Sequence, residues 1–369
     1  MSKKKIAFFG IKYYPSRGGT SRVAENLIRN MVKDHDITIY CYKNKLAHNH
    51  IKGVNVIQFH EIKLGSFGVF LYYLICYCHI RFFGKYDVIH AHKLDSFFFI
   101  NGLSKKTKVV ATVHGVPYKD GIWGGVAKSF FLMNERRFLN FTGVKTAISK
   151  PLCAFYKEKY GVEVKFVPNG INVLEEHAES SLKAFWPEAV PKDASFVLFA
   201  ARRVIGIKGL HTMLKAYHKI NYKGNIFVAG DLDFTPSYIK EVKELSVGLN
   251  VYFLGYVNSL TALLALVSKS EYFVFPSEIE GMSIMLLEVA STGTPILASD
   301  IPENTQVFDE REVLFFKSKN IDNLAQKLVW IENNKTAFNA LGKNAKAKVN
   351  TQYTWDKISL EYTLLYQSI

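Results

Sequence analysis

Cysteine is scarce: Cys41, Cys76, Cys78 and Cys153 are the only four in 369 residues. That is too few to staple a fold of this size, and no His or Cys partners stand at zinc-site spacing. A reducing compartment is expected, and no metal site is assigned. With only 10 Pro and 24 Gly, the composition is that of a globular chain rather than a disordered or fibrous one. No uninterrupted apolar run reaches the roughly 20 residues of a membrane span. The longest, Phe67 to Cys78, continues into Arg81, Phe82, Phe83 and Lys85. It suits a helix buried between layers and equally one lying in a headgroup interface. No apolar leader precedes the first strand-like run, Ile6 to Gly10, so export is not expected. Two nucleotide signatures are missing as well. The loop Gly10 to Gly19 lacks G-x-G-x-x-G, and no G-x-x-x-x-G-K-[ST] occurs anywhere, which disfavours hydride transfer and excludes a P-loop nucleotidase.

Negative charge is short in one half only. Residues 1–170 hold 27 Lys and Arg against 10 Asp and Glu, a net +17, whereas residues 171–369 hold 20 against 22, a net −2. A field confined to one half implies a polyanionic partner for that half: nucleic acid, an anionic bilayer or a phosphorylated acceptor.

Short apolar runs alternate with amphipathic segments. They begin at Ile6, Ile37, Val54, Val88, Val109, Val144 and Val164, and a second series begins at Phe196, Asn225, Val251, Tyr272, Pro295 and Val313. Alternation of this kind predicts parallel sheets, because each crossover needs a helix to return the chain to the same edge. The polar, Pro-bearing stretch Asn172 to Asp193, with Glu175 and Glu176, reads as the linker. The expected fold is therefore α/β: two Rossmann-like, doubly wound domains, residues 1–170 and 171–352, facing a cleft where such sheets bind ligands. Residues 353–369 carry apolar positions at 355, 358, 362 and 365, a helical stripe expected to pack back on the first domain.

Three segments carry chemistry. Gly18 and Gly19 precede a helix predicted over Thr20 to Met31, where bare backbone N–H groups suit a phosphate, although paired glycines also simply turn a chain. Arg203 and Lys208-Gly209 follow a strand. A guanidinium fork and an ammonium point charge match a diphosphate, or serve only solubility. Phe275 to Glu288 runs from a strand into a helix. Glu280 and Glu288 stand eight residues apart, roughly 12 Å along a helix axis, a span that can grip two hydroxyl-bearing ends of one ligand. The alternative is a helix-start carboxylate at Glu280 and an ion pair at Glu288.

These segments resemble the retaining glycosyltransferases of the GT4 family, which have the two-Rossmann-domain GT-B fold. Glu280-x7-Glu288 is similar to the family's E-x7-E motif and Arg203-x4-Lys208-Gly209 to its R-x4-K-G clamp. Supporting matches are Gly18-Gly19, Thr112-Val-His114-Gly115, Pro168-Asn169-Gly170-Ile171 and Gly293 to Asp300, and together the resemblance covers most of the chain. It implies a hexose or deoxyhexose moved from a nucleoside diphosphate sugar, with UDP, GDP or TDP as carrier, to a glycan or polyprenyl-diphosphate-linked acceptor. Capsule, O-antigen or exopolysaccharide assembly is the implied setting. Arg203 and Lys208 would hold the diphosphate, with Gly18 and Gly19 near the phosphates. Glu280, with Gly281, Met282 and Ser283, would hold the sugar, and Glu288 the ribose. His114 would stand beside the reacting sugar, Asn169 near the hinge, and Pro302-Glu303 would add donor contacts. No cofactor and no metal is expected. Arg202 stands where Gly or Ser commonly precedes the clamp arginine, and Met282-Ser283 replaces Phe-Gly, so donor identity stays open; His90 and His92 receive no role.

The basic half is expected to hold the acceptor at the inner face of the cytoplasmic membrane, with the enzyme peripherally attached. One rival is a sugar-nucleotide epimerase of the same fold. Another is a nucleic-acid-binding protein, ranked low because no RNA or DNA module occurs and the motifs lie in the acidic half, so no nucleic-acid partner is expected.

Overall fold

The computed structural model describes residues 3–16, 18–46, 51–119, 124–173, 182 and 184–369. Among these residues there are thirteen strands in two sheets. The first sheet contains β1 (Lys5–Phe9), β2 (Asp36–Tyr42), β3 (Asn55–Phe59), β4 (Val88–His92), β5 (Lys108–Val113), β6 (Val144–Ala147) and β7 (Lys165–Phe166), in the spatial order β3-β2-β1-β4-β5-β6-β7. The second contains β8 (Phe196–Arg203), β9 (Asn225–Asp231), β10 (Asn250–Gly255), β11 (Tyr272–Phe275), β12 (Ile296–Ser299) and β13 (Leu314–Phe316), ordered β10-β9-β8-β11-β12-β13. Every pairing is parallel. Ile6, Ala7, Phe8 and Phe9 are all completely buried, the pattern of a strand covered on both faces, and that is why these strands read as continuous apolar runs.

Both sheets wind outward in two directions from a central strand. In the first, β1 pairs with β2 on one side and with β4 on the other. In the second, β8 pairs with β9 and with β11. Loops leaving the carboxyl ends of β1 and β4, and of β8 and β11, therefore depart on opposite faces and leave a crevice between them.

The chain forms two compact units, residues 1–170 with 355–369, and residues 171–354. The final helix, Trp355–Gln367, belongs to the first unit. Its buried Trp355, Ile358, Tyr362, Leu365 and Tyr366 form a stripe at 3.6-residue spacing, and it packs against the helix Gly19–Met31. The connection back to it is pinned within the second unit, where Ile171 N–H donates to the Tyr353 carbonyl at 2.7 Å. Of the expected linker, residues 174–181 and 183 lie outside the described residues, Glu175 and Glu176 among them. Its described part packs on the second sheet, with Trp186 edge-on to Phe196 and Phe227.

The aromatic run starting at Phe67 lies in a longer helix than its apolar stretch indicates. Gly65–Phe83 spans 19 residues and, by length and composition alone, reaches the range of a membrane span. The run-length argument falls short because polar residues at both ends, Ser66, His79 and Arg81, are tolerated within one continuous helix. Tyr72, Tyr73, Cys76 and Ile80 face the core of the first unit, and the Tyr72 hydroxyl donates to the Ile11 carbonyl at 2.7 Å. Phe67, Phe82 and Phe83 remain exposed.

Candidate active site

The crevice between β8 and β11 is drawn tight by one glycine. Gly209 has φ +72°, and a Cβ built there would lie 2.0 Å from the Pro276 carbonyl oxygen. Only glycine combines that conformation with that approach. Just beyond, Glu278 N–H donates to the Ile207 carbonyl at 2.8 Å, so the two loops run against each other. This contact places the Lys208 ammonium 2.6 Å from the Glu280 carboxylate, with their side chains 23% and 11% exposed. Lys208 and Glu280, expected from the sequence to serve a phosphate and a sugar separately, form one charge-assisted pair.

Arg203 ends β8 on the surface, its guanidinium 4.0 Å from the centroid of the Phe234 ring. The guanidinium lies over the ring in a cation–π contact. After Glu280, Gly281 and Met282 lead to Ser283, whose hydroxyl accepts from Leu286 N–H at 3.2 Å and caps the helix Ile284–Thr292. Glu288 lies only about one turn into that helix, not two as the spacing from Glu280 indicates, because the helix starts at Ile284, and it is 6% exposed. Pro302 and Glu303 open the four-residue helix Pro302–Thr305 after β12.

In the first unit, Gly18 is extended and its carbonyl accepts from Arg22 N–H at 2.9 Å as the helix Gly19–Met31 begins. A Cβ at Gly19 would meet no atom within 4 Å, so backbone packing does not demand glycine there. Asn169 is buried. His114 follows β5, and its Nε2 lies 3.0 Å from Nδ1 of His92. Burial, reinforced by the Lys93 charge, pushes the His114 imidazole down to about 3. His90 and His92 are completely buried and pushed well below the ordinary range, again mainly by burial. All three rings are neutral at physiological pH.

Two family models match the chain. One described as "Glycosyl transferases group 1" matches residues 181–348, and one described as "Glycosyltransferase Family 4" matches residues 17–174. The chain belongs to the family 4 glycosyltransferases. An uncharacterised glycosyltransferase of Methanocaldococcus jannaschii is 25% identical over 98% of both chains. A Campylobacter jejuni N,N'-diacetylbacillosaminyl-diphospho-undecaprenol alpha-1,3-N-acetylgalactosaminyltransferase is 28% identical over 66% of this chain and 61% of that one. The Escherichia coli UDP-Gal:alpha-D-GlcNAc-diphosphoundecaprenol alpha-1,3-galactosyltransferase is 26% identical over 72% and 71%. Among solved structures, sucrose-phosphate synthase from Thermosynechococcus elongatus superposes with a TM-score of 0.82 at 19% identity, covering 99% of each chain. Anabaena HepE in complex with UDP and glucose does so at 0.79 and 15%, covering 99% and 100%. The glycosyltransferase has their fold, GT-B, and is a hexosyltransferase.

Sequence reasoning about the glycosyltransferase missed several residues around the pair. Glu278 approaches Lys319 at 3.0 Å through Oε2 and His211 at 3.7 Å through Oε1, and Nδ1 of His211 lies 3.0 Å from the Tyr238 hydroxyl. The Glu278-x-Glu280 spacing was the available signal, since residues two apart in an extended loop point to the same side. Phe234 gave none, because a lone exposed aromatic 31 residues beyond Arg203 is ordinary in a sequence. His92 stood in view as the second member of a His-Ala-His strand end, but its contact with His114 depends on the register pairing His92 with Thr112.

Proposed function

We propose that the glycosyltransferase moves a hexose or deoxyhexose from a nucleoside diphosphate sugar to a hydroxyl of a lipid-linked glycan, retaining the anomeric configuration. The ion pair of Lys208 with Glu280 at the second sheet's switch point carries this reading. As the glycosidic bond breaks, the diphosphate gains negative charge. Lys208, already oriented by Glu280, and Arg203, held over Phe234, are placed to neutralise that charge, so the mechanism asks for no divalent cation. The Glu280 carboxylate then accepts hydrogen bonds from sugar hydroxyls, and Glu288 takes the ribose. The open backbone at Gly18 and Gly19 suits a phosphate, and His114 is assigned to the transferred sugar. The family resemblance supports same-face attack through an oxocarbenium-like state as the route.

The first half's net +17 supports an acceptor anchored at an anionic bilayer, with the enzyme attached to the inner face of the cytoplasmic membrane. The Campylobacter and E. coli relatives, named for undecaprenol-diphosphate-linked substrates, support a place in surface-polysaccharide assembly. Thermal shifts against a panel of UDP, GDP and TDP sugars test donor binding, because a ligand of the folded state raises stability by mass action. The anomeric configuration of the product, read by NMR, tests retention. A changed sugar still attached to its nucleotide, with no transfer, would instead reveal an epimerase.

A further inference from the structure

We propose that His92 is a positioning residue that holds His114 in the tautomer bearing its proton on Nδ1, so that His114 presents an N–H donor to an oxygen of the sugar. This rests on the reading of His114 as a sugar contact and adds how its ring is set.

His92 is fixed from every side. It closes β4, in register with Thr112 of β5, and its carbonyl accepts from the Ser96 hydroxyl at 2.7 Å. Gly10, at φ +86°, presses against that carbonyl so closely that a Cβ would lie 2.0 Å from the oxygen. The ring stacks on Phe8, with centroids 5.7 Å apart and planes 13° apart, and lies against His90 at a 33° tilt, with centroids at 4.0 Å. Such a ring has little freedom to rotate.

The proton assignment follows from what each nitrogen meets. A 3.0 Å contact between two neutral imidazoles needs one N–H and one bare nitrogen. Nε2 of His92 is buried with no hydrogen-bond partner among the described residues. An orphaned buried N–H is the less tolerated of the two possibilities, so the His92 proton sits on Nδ1 and is donated to Nε2 of His114. His114 then carries its own proton on Nδ1. His90 stands outside this contact, since its Nε2 meets Thr112 Oγ1 at 2.7 Å and its Nδ1 the Tyr366 hydroxyl at 2.7 Å. The consequence for mechanism is specific: the nitrogen that His114 turns to substrate donates a hydrogen bond and cannot remove a proton.

Long-range 1H–15N correlation of the histidine rings in the full chain reads the tautomers directly, with His114 assigned by comparison with His114→Gln. The expected spectrum has His114 protonated at Nδ1 and bare at Nε2. His92→Phe keeps the aromatic packing but removes the donor. It should give a mixture of His114 tautomers and lower turnover about tenfold to a hundredfold, the usual loss when a supporting partner is removed. His92→Asn, whose amide occupies the place of Nδ1–H, should restore much of both. A wild-type His114 protonated at Nε2 overturns the assignment, and this holds even if His92→Phe does not fold. Unchanged turnover in a folded His92→Phe overturns the positioning role. Failure of the enzymatic reading shows separately, as no thermal shift of the wild type with any UDP, GDP or TDP sugar.

Discussion

Lys208 and Glu280 form a 2.6 Å ion pair although 72 residues separate them. If this pair seats the diphosphate, Lys208→Ala removes a charge-assisted contact of about 1.5–3 kcal/mol and lowers donor affinity roughly tenfold to a hundredfold. Lys208→Arg should not restore it, because a planar fork cannot occupy the position of a compact ammonium. Isothermal titration with the donor found in the nucleotide-sugar panel checks both. Unchanged affinity in Lys208→Ala would remove the second unit's crevice from consideration.

Gly209→Ala should destabilise the second unit by more than about 2 kcal/mol, combining left-handed strain with a collision at the Pro276 carbonyl. Gly19→Ala supplies the contrast. Its Cβ meets nothing, so apparent melting temperature should hold while donor affinity falls if a phosphate approaches there. A Gly19→Ala enzyme that binds donor normally would limit the paired glycines to starting the helix.

Strand placement was most legible for the central strands, which are buried on both faces, and residues such as Ile6 to Phe9 announce that as an unbroken apolar run. The stripe at 355, 358, 362 and 365 was legible for the corresponding helical reason. Side-chain pairings across loops were not. Nothing local to Glu278 points to Lys319, nor does anything near Arg203 point to Phe234, because those contacts are created by the order in which strands assemble. The helix Gly65–Phe83 was underestimated because its ends are polar, and helix length is set by backbone continuity rather than by hydropathy.

Acid should weaken the first unit through its histidines. In the unfolded chain a histidine takes up a proton near pH 6.5, whereas burial holds His90, His92 and His114 neutral well below that. Their contribution is complete above about pH 6.5. It is lost as pH falls, by up to about 1.4 kcal/mol per pH unit for each ring until its folded-state value is reached. His114→Gln should therefore show a shallower loss of stability between pH 6.5 and 5, measured by urea unfolding. An unchanged slope would mean that the ring is protonated in the folded protein.

Charge reversal should separate membrane attachment from donor binding. Lys105 and Lys106 are exposed on the basic half. Lys105→Glu with Lys106→Glu should weaken flotation with anionic vesicles by at least about tenfold, at about 1 kcal/mol for each basic residue near the surface. Donor affinity should not change. Equal flotation of both proteins, or none by the wild type, would remove the bilayer as the partner of this half.

The hydroxyls of Tyr362 and Tyr366 reach Thr112 and His90 at 3.1 and 2.7 Å, so the last stretch of polypeptide supplies a wall of the domain that the first stretch begins. A fragment stopped at residue 170 would consequently be an incomplete object, sticky where Trp355 and Ile358 belong. Supplied separately, the fifteen C-terminal residues would act as a complementing peptide, and any tag that disturbs them would be felt at the opposite end of the gene.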